Sequence, residues 1–171
     1  MGGFTAFEVM RQAPERVESL VLIATLAPND GPAQLERRQG YIRLVEDGRF
    51  EAVVEERIPI LVHPARREDA ALLSVVRRMA ADTGAERFLR QQRAIMQRPD
   101  SRPSLAAIGA PTLLVRGAQD GITTAAHQEE LLAGIAGSRL AVVEDCGHLP
   151  TLEKPPTASG LLADWLAAAS R

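Results

Sequence analysis

A single cysteine among 171 residues excludes an internal disulfide and fits a reducing compartment. Long apolar runs are missing as well. The longest, "LVLIATLA" and "LLADWLAAA", fall far short of the ~20 residues that a bilayer-spanning helix needs. No charged segment followed by an apolar one opens the chain, so no signal peptide is read there and the cytoplasm is the expected compartment. Excess charge of one sign is small. A net charge of -2 leaves no footprint for nucleic acid or an anionic membrane, and neither is expected as a partner. No His/Cys/Asp cluster has metal-ligand spacing, and no glycine-rich loop follows a strand in a phosphate-binding context, so neither metal nor cofactor is expected.

What remains is a globular composition, with 46% apolar and 25% charged residues and a length that suits one domain. "SLVLIAT" (19–25), "PTLLVRG" (111–117) and "SRLAVVE" (138–144) are short, nearly continuous apolar runs rich in β-branched residues. Such runs read as strands of a parallel sheet buried on both faces. Phe4, Phe7, Val9 and Met10 have helical spacing before the first run, and helical patterns over 124–135 and 156–168 follow the second and third. Alternating strands and helices imply an α/β fold, with right-handed crossovers linking three parallel strands in chain order.

Between Asn29 and Arg102 the character changes to charged, amphipathic and strand-free. Helices are predicted near 33–47, 51–57, 67–81 and 86–97, separated by Gly48, Pro59, Pro64, Gly84 and Pro99. This insertion is too long for an ordinary crossover and reads as a cap over the end of the sheet. The expected division is therefore a core of 1–28 with 103–171 and a cap of 29–102; a helical subdomain with only a packing role is the alternative. The first strand has no predecessor in the chain, which leaves an apolar sheet edge and an expectation of self-association through it.

Two loops place a titratable residue just past a predicted strand, where open α/β sheets bind ligands. The first is "VRGAQDGITT" with Asp120, and the second "VVEDCGHLPTLEKP" with His148. Asp followed by His in the last two such loops is the order of the acid and base of a nucleophile–His–acid triad. Asp120 beside Gly121 also suits a turn, and the two roles are compatible. Cys146 is read as a small buried filler, His127 as a solvated residue in a helical first turn, and His63 as a surface loop position. "RPDSRP", with Arg98 and Arg102, is read as a solvated linker, with attraction of an acidic substrate as the alternative. Leu161, Leu162, Trp165 and Leu166 are read as the buried face of the last helix.

The opening "MGGFTAFEVMRQAPERVESLVLIAT" resembles the stretch directly after the nucleophile in α/β-hydrolase fold enzymes, where a Gly-x-Ser-x-Gly-Gly elbow leads into a helix and a Leu-Val-Leu-Ile strand. "PTLLVRGAQD" and "CGHLPTLEKP" resemble the acid and histidine loops of the same family. The resemblance implies that Met1 follows the nucleophile, so that the nucleophile and the strands before it lie upstream of this chain. It also implies that His148 is the base, that Asp120 orients it, and that the Met1 nitrogen is an oxyanion-hole donor. None of Ser19, Ser74, Ser101, Ser104, Ser138, Ser159 and Ser170 has an elbow context.

The expected activity of the complete enzyme is hydrolysis of a small ester, lactone or related acyl substrate. Phe50, Ile58, Ile60, Leu61, Phe88, Ile95 and Met96 suggest an apolar pocket in the cap. The alternatives are a dehalogenase, epoxide hydrolase or haloperoxidase-like relative, or a truncated, non-catalytic remnant that binds a partner. This chain alone is expected to be inactive.

Overall fold

A computed structural model describes residues 1–169; Ser170 lies outside them. Three strands form one sheet: β1 (Leu20–Ile23), β2 (Thr112–Gly117) and β3 (Arg139–Val143). They are parallel and adjacent in chain order, with Leu22 opposite Leu114 and Leu114 opposite Leu140. Because successive side chains alternate across the sheet, the apolar runs supply two cores. On one face Leu20, Leu22 and Leu114 pack under α1 (Gly2–Gln12), α5 (Ala125–Gly134) and the 3-10 turn Arg102–Ala107, through Phe7, Met10, Leu131, Ile135 and Leu105. On the other, Leu113, Val115, Val143 and Cys146 meet Trp165 of α7 (Pro155–Ala169).

Burial on both faces holds for β2 but not for its neighbours. Val21 and Ile23 of β1 are only half-buried, because the second core centres on β2, β3 and Trp165. Val142 of β3 is 43% exposed. On α7, Leu166 is 59% exposed, so the buried face is narrower than the sequence suggested and centres on Trp165.

The segment between β1 and β2 is helical: α2 (Pro32–Glu46), α3 (Phe50–Leu61) and α4 (Ala70–Met96). Gly84 breaks α4 with φ +72° and ψ 161°, a backbone that glycine adopts without strain. Pro59 does not end α3. The helix runs two residues further, the Val62 amide bonds the Ile58 carbonyl, and Ile58 and Val62 are buried against Leu72, Leu73 and Val76 of α4. Packing of this face outweighs the one N–H that proline lacks.

The "RPDSRP" stretch is only partly a solvated linker: Arg102 is exposed, whereas Arg98 and Ser101 are buried against the loop leaving β1. Arg98 is 7% exposed, donates to the Pro28 carbonyl (2.8 Å) and Asp30 (3.0 Å), and lies 4.1 Å from the centre of the Phe4 ring. Asp30 also accepts from Arg38 (2.5 Å), whose guanidinium reaches Gln92 (2.8 Å). The Ser101 amide bonds the Ala27 carbonyl. One buried carboxylate thus joins the end of α4 and the start of α2 to the loop leaving β1. Burial by itself would raise the Asp30 carboxyl, but hydrogen bonds and charge from Arg98 and Arg38 outweigh this and hold it below the usual carboxylate range. Asp30→Ala leaves two guanidiniums without their counter-charge and is expected to cost about 3 kcal/mol in urea unfolding at neutral pH. A loss below about 1 kcal/mol would show that this network is not an anchor.

Candidate active site

The loop after β2 is folded by its own aspartate. Asp120 Oδ1 accepts from the amides of Ile122 (2.8 Å) and Thr123 (3.0 Å), and Oδ2 accepts from the Thr123 hydroxyl. The turn role is therefore real, and it fixes the carboxylate with its side chain fully buried. The same two oxygens face His148 Nδ1 at 3.0 and 2.9 Å. An ionised carboxylate can only accept, so Nδ1 carries the proton, and in the neutral ring Nε2 is left as an acceptor. The imidazole is 21% exposed. Burial pushes the Asp120 carboxyl up, but the hydrogen bond and charge of His148, with the Thr123 hydroxyl and amide, together bring it below its ordinary value.

The histidine loop follows β3 and turns sharply at Asp145, a non-glycine residue at φ +49°. It then crosses directly over the end of β2. A Cβ on Gly117 would stand 2.0 Å from the Gly147 carbonyl oxygen, so only glycine allows the two loops to meet there. Three bonds hold the crossing: Ala118 N–H to the Val143 carbonyl, Gln119 N–H to the Cys146 carbonyl, and Cys146 N–H to the Gln119 side chain.

The backbone of His148 is pinned on both sides. Its own amide donates to the Leu61 carbonyl at the end of α3 (2.8 Å). Glu153, on the short helix α6 (Pro150–Glu153), accepts through Oε1 from the amides of Gly147 (2.9 Å) and Leu149 (3.4 Å). Its Oε2 accepts from the amide of His63 (2.7 Å). Glu153 is 3% exposed, so a buried carboxylate ties the histidine loop to the segment after α3. Sequence reasoning passed it over; the signal was an acid five residues after His148, at the end of a single helical turn. Thr123 was passed over too.

The remaining residues divide clearly. Cys146 is wholly buried, and its thiol is pushed up to about 12, first by burial and then by the Glu153 charge. It is a filler, inert as a nucleophile at neutral pH. His127 closes a capping box with Thr124 at the start of α5 and is half-buried, so it is not fully solvated. The His63 ring accepts from the Ala65 amide as the cap of a 3-10 turn. Met1 is the N-cap residue of α1. Gly3 answers to a close approach, since a Cβ there would stand 2.1 Å from the Thr25 hydroxyl, whereas Gly2 faces open space. Among the described residues no group of three His, Cys, Asp or Glu could hold a metal ion. No helix among them is long and apolar enough to cross a membrane.

A family model described as alpha/beta hydrolase fold matches residues 1–155, and the chain belongs to that family. It is 30% identical to a 2-hydroxy-6-oxononadienedioate/2-hydroxy-6-oxononatrienedioate hydrolase of Klebsiella pneumoniae subsp. pneumoniae, over 99% of this chain and 60% of that protein. It is 30% identical to 3-oxoadipate enol-lactonase 2 of Acinetobacter baylyi, over 91% of this chain and 57% of that one. Among solved structures, a thermophilic esterase from Thermogutta terrifontis superposes with a TM-score of 0.92 at 28% identity, covering 98% of this chain and 62% of its own. The chain thus spans about three fifths of the length of the relatives it matches.

The depressed carboxyl of Asp120 makes a pH prediction. A group whose folded pKa lies below its unfolded value of ~3.9 stabilises fully above that value and loses the contribution as pH falls through the folded one. Asp120→Asn is expected to cost about 3 kcal/mol at pH 7, with the deficit against the parent narrowing below about pH 4. Urea titrations across that range measure it. A deficit independent of pH would show that the carboxylate charge is not what holds the loop.

Proposed function

We propose that this chain is the C-terminal part of a serine-type α/β-hydrolase that acts on a small ester, lactone or related acyl substrate. The observation that carries the reading is the buried Asp120 at 2.9 Å from His148 Nδ1, in loops at the same end of adjacent strands. A base in this arrangement takes a proton through Nε2 while the carboxylate orients the ring and stabilises the imidazolium. The nucleophile is a serine immediately before Met1. It attacks the acyl carbon as His148 takes its proton. The tetrahedral oxyanion is then held by the Met1 N–H at the start of α1 and by a donor from upstream. His148 next protonates the leaving group, and water attacks the acyl-enzyme with His148 again as base. The helices of 29–102 form the cap of this site, supported by the Leu61–His148 and His63–Glu153 bonds. Hydrolase, lactonase and esterase relatives support the acyl-substrate class.

The test compares the 171-residue chain with a version extended upstream through a Gly-x-Ser elbow, on a short-chain aryl ester. The extended form is expected to turn over, and the shorter one to be slower by at least ~10⁴-fold, as is His148→Ala in the extended form. Comparable turnover by the 171-residue chain, abolished by His148→Ala, would place the nucleophile within these residues and overturn the assignment.

A further inference from the structure

A cavity of about 190 Å³ lies between α3 and α4, with the histidine loop as part of its wall. Its volume suits a small ligand such as a short chain. Its lining is mostly apolar, with Phe50, Val53, Val76, Met79 and Phe88 prominent, and Thr83 and Gln91 add uncharged polar groups. Two of its lining residues tie it to the dyad. Leu149 directly follows His148, and the carbonyl of Leu61 receives the His148 amide.

Into this apolar lining comes one full charge, Arg57. Its guanidinium stands 5.9 Å from the centre of the Phe88 ring and makes no hydrogen bond or ion pair with any described residue. Most arginines around it are matched: Arg77 with Glu55, Arg93 with Glu46, Arg38 and Arg98 with Asp30. Asp30 alone answers two guanidiniums, and Glu56, the acid next to Arg57 in the chain, faces the Tyr41 hydroxyl and makes no ion pair with Arg57. Burial first lowers the Arg57 pKa from its ordinary value; Tyr41 pulls it back up, and repulsion from Arg38 and Arg37 adds to the lowering. A half-buried guanidinium without an ion pair, at the wall of a largely apolar pocket, is a place for an anion.

We propose that this cavity takes a short aliphatic chain ending in a carboxylate, with Arg57 as the residue that recognises the carboxylate. That the chain is the acyl part of a substrate rests on the hydrolase reading; the binding does not. Arg57 is then a specificity-determining residue. Its charge selects a carboxylate over a neutral end group of the same shape, because an amide leaves the guanidinium uncompensated.

The test is a binding titration of the 171-residue chain with hexanoate and with hexanamide. It is followed by NMR at the Phe88 ring and the Leu149 methyls, on the parent chain, Arg57→Gln and Arg57→Lys. Hexanoate is expected to bind at least about tenfold more tightly than hexanamide. Arg57→Gln should abolish that preference while leaving hexanamide unchanged, and Arg57→Lys should keep part of it. Equal affinities, a preference that survives Arg57→Gln, or no saturable shift at Phe88 and Leu149 would each overturn the proposal. The two readings fail separately. An inactive extended chain with the carboxylate preference intact would count against the hydrolase alone, and an active one without the preference against this pocket alone.

Discussion

The close crossing of two loops at Gly117 is the constraint on which the site depends. The end of β2 and the turn after β3 approach until there is no room for a single carbon, with the Gly147 carbonyl oxygen 2.0 Å from where a Cβ would be. At that separation the carboxylate three residues beyond Gly117 accepts a hydrogen bond from the imidazole one residue beyond Gly147. Each side of the crossing is then stabilised independently. Asp120 satisfies the amides and hydroxyl of its own turn, and Glu153 satisfies the amides flanking His148. The dyad is thus held by groups that do not take part in it. This is what preorganisation of a base requires.

The helical segment is coupled to the same point. The end of α3 gives the Leu61 carbonyl to His148, the turn after it gives the His63 amide to Glu153, and Arg66 donates to the Glu153 carbonyl (2.6 Å). Ile60 packs against Gly121 in the acid loop. Four contacts over a few residues fix the end of α3 and the turn after it against the acid and histidine loops, while the Asp30 network joins α2 and the end of α4 to the loop leaving β1. The cavity at Arg57 includes Leu61 and Leu149 in its wall, so it borders the first of these anchors.

Local signals were legible in the sequence and distant ones were not. The three strands were readable because parallel strands are apolar over several residues together, and Asp120 and His148 because each stands in a short loop behind such a run. Gly84 was readable as a break since positive φ is a local property. Pro59 misled because the penalty of a proline is local, whereas the burial of Ile58 and Val62 that overrides it is tertiary. Arg98 misled for the same reason: its partner Asp30 is 68 residues away in sequence, and a charge run looks solvated until that partner is seen. The half-buried faces of β1 and β3 show the limit of the strand signal, which reports apolarity and not what covers it. Arg57 gave no signal at all, because a missing counter-charge is visible only when every neighbour is placed.

The central claim is that a buried carboxylate holds His148 as the Nδ1–H tautomer with Nε2 available as a base. The most direct measurement is the ¹⁵N spectrum of the histidine ring nitrogens in the 171-residue chain at a pH where the ring is neutral. The account predicts a protonated Nδ1 and an unprotonated, acceptor-type Nε2 for His148, with the Nδ1 proton lost to rapid exchange in Asp120→Ala. A His148 ring that is protonated at Nε2, or an Nδ1 proton indifferent to the loss of Asp120, would contradict it.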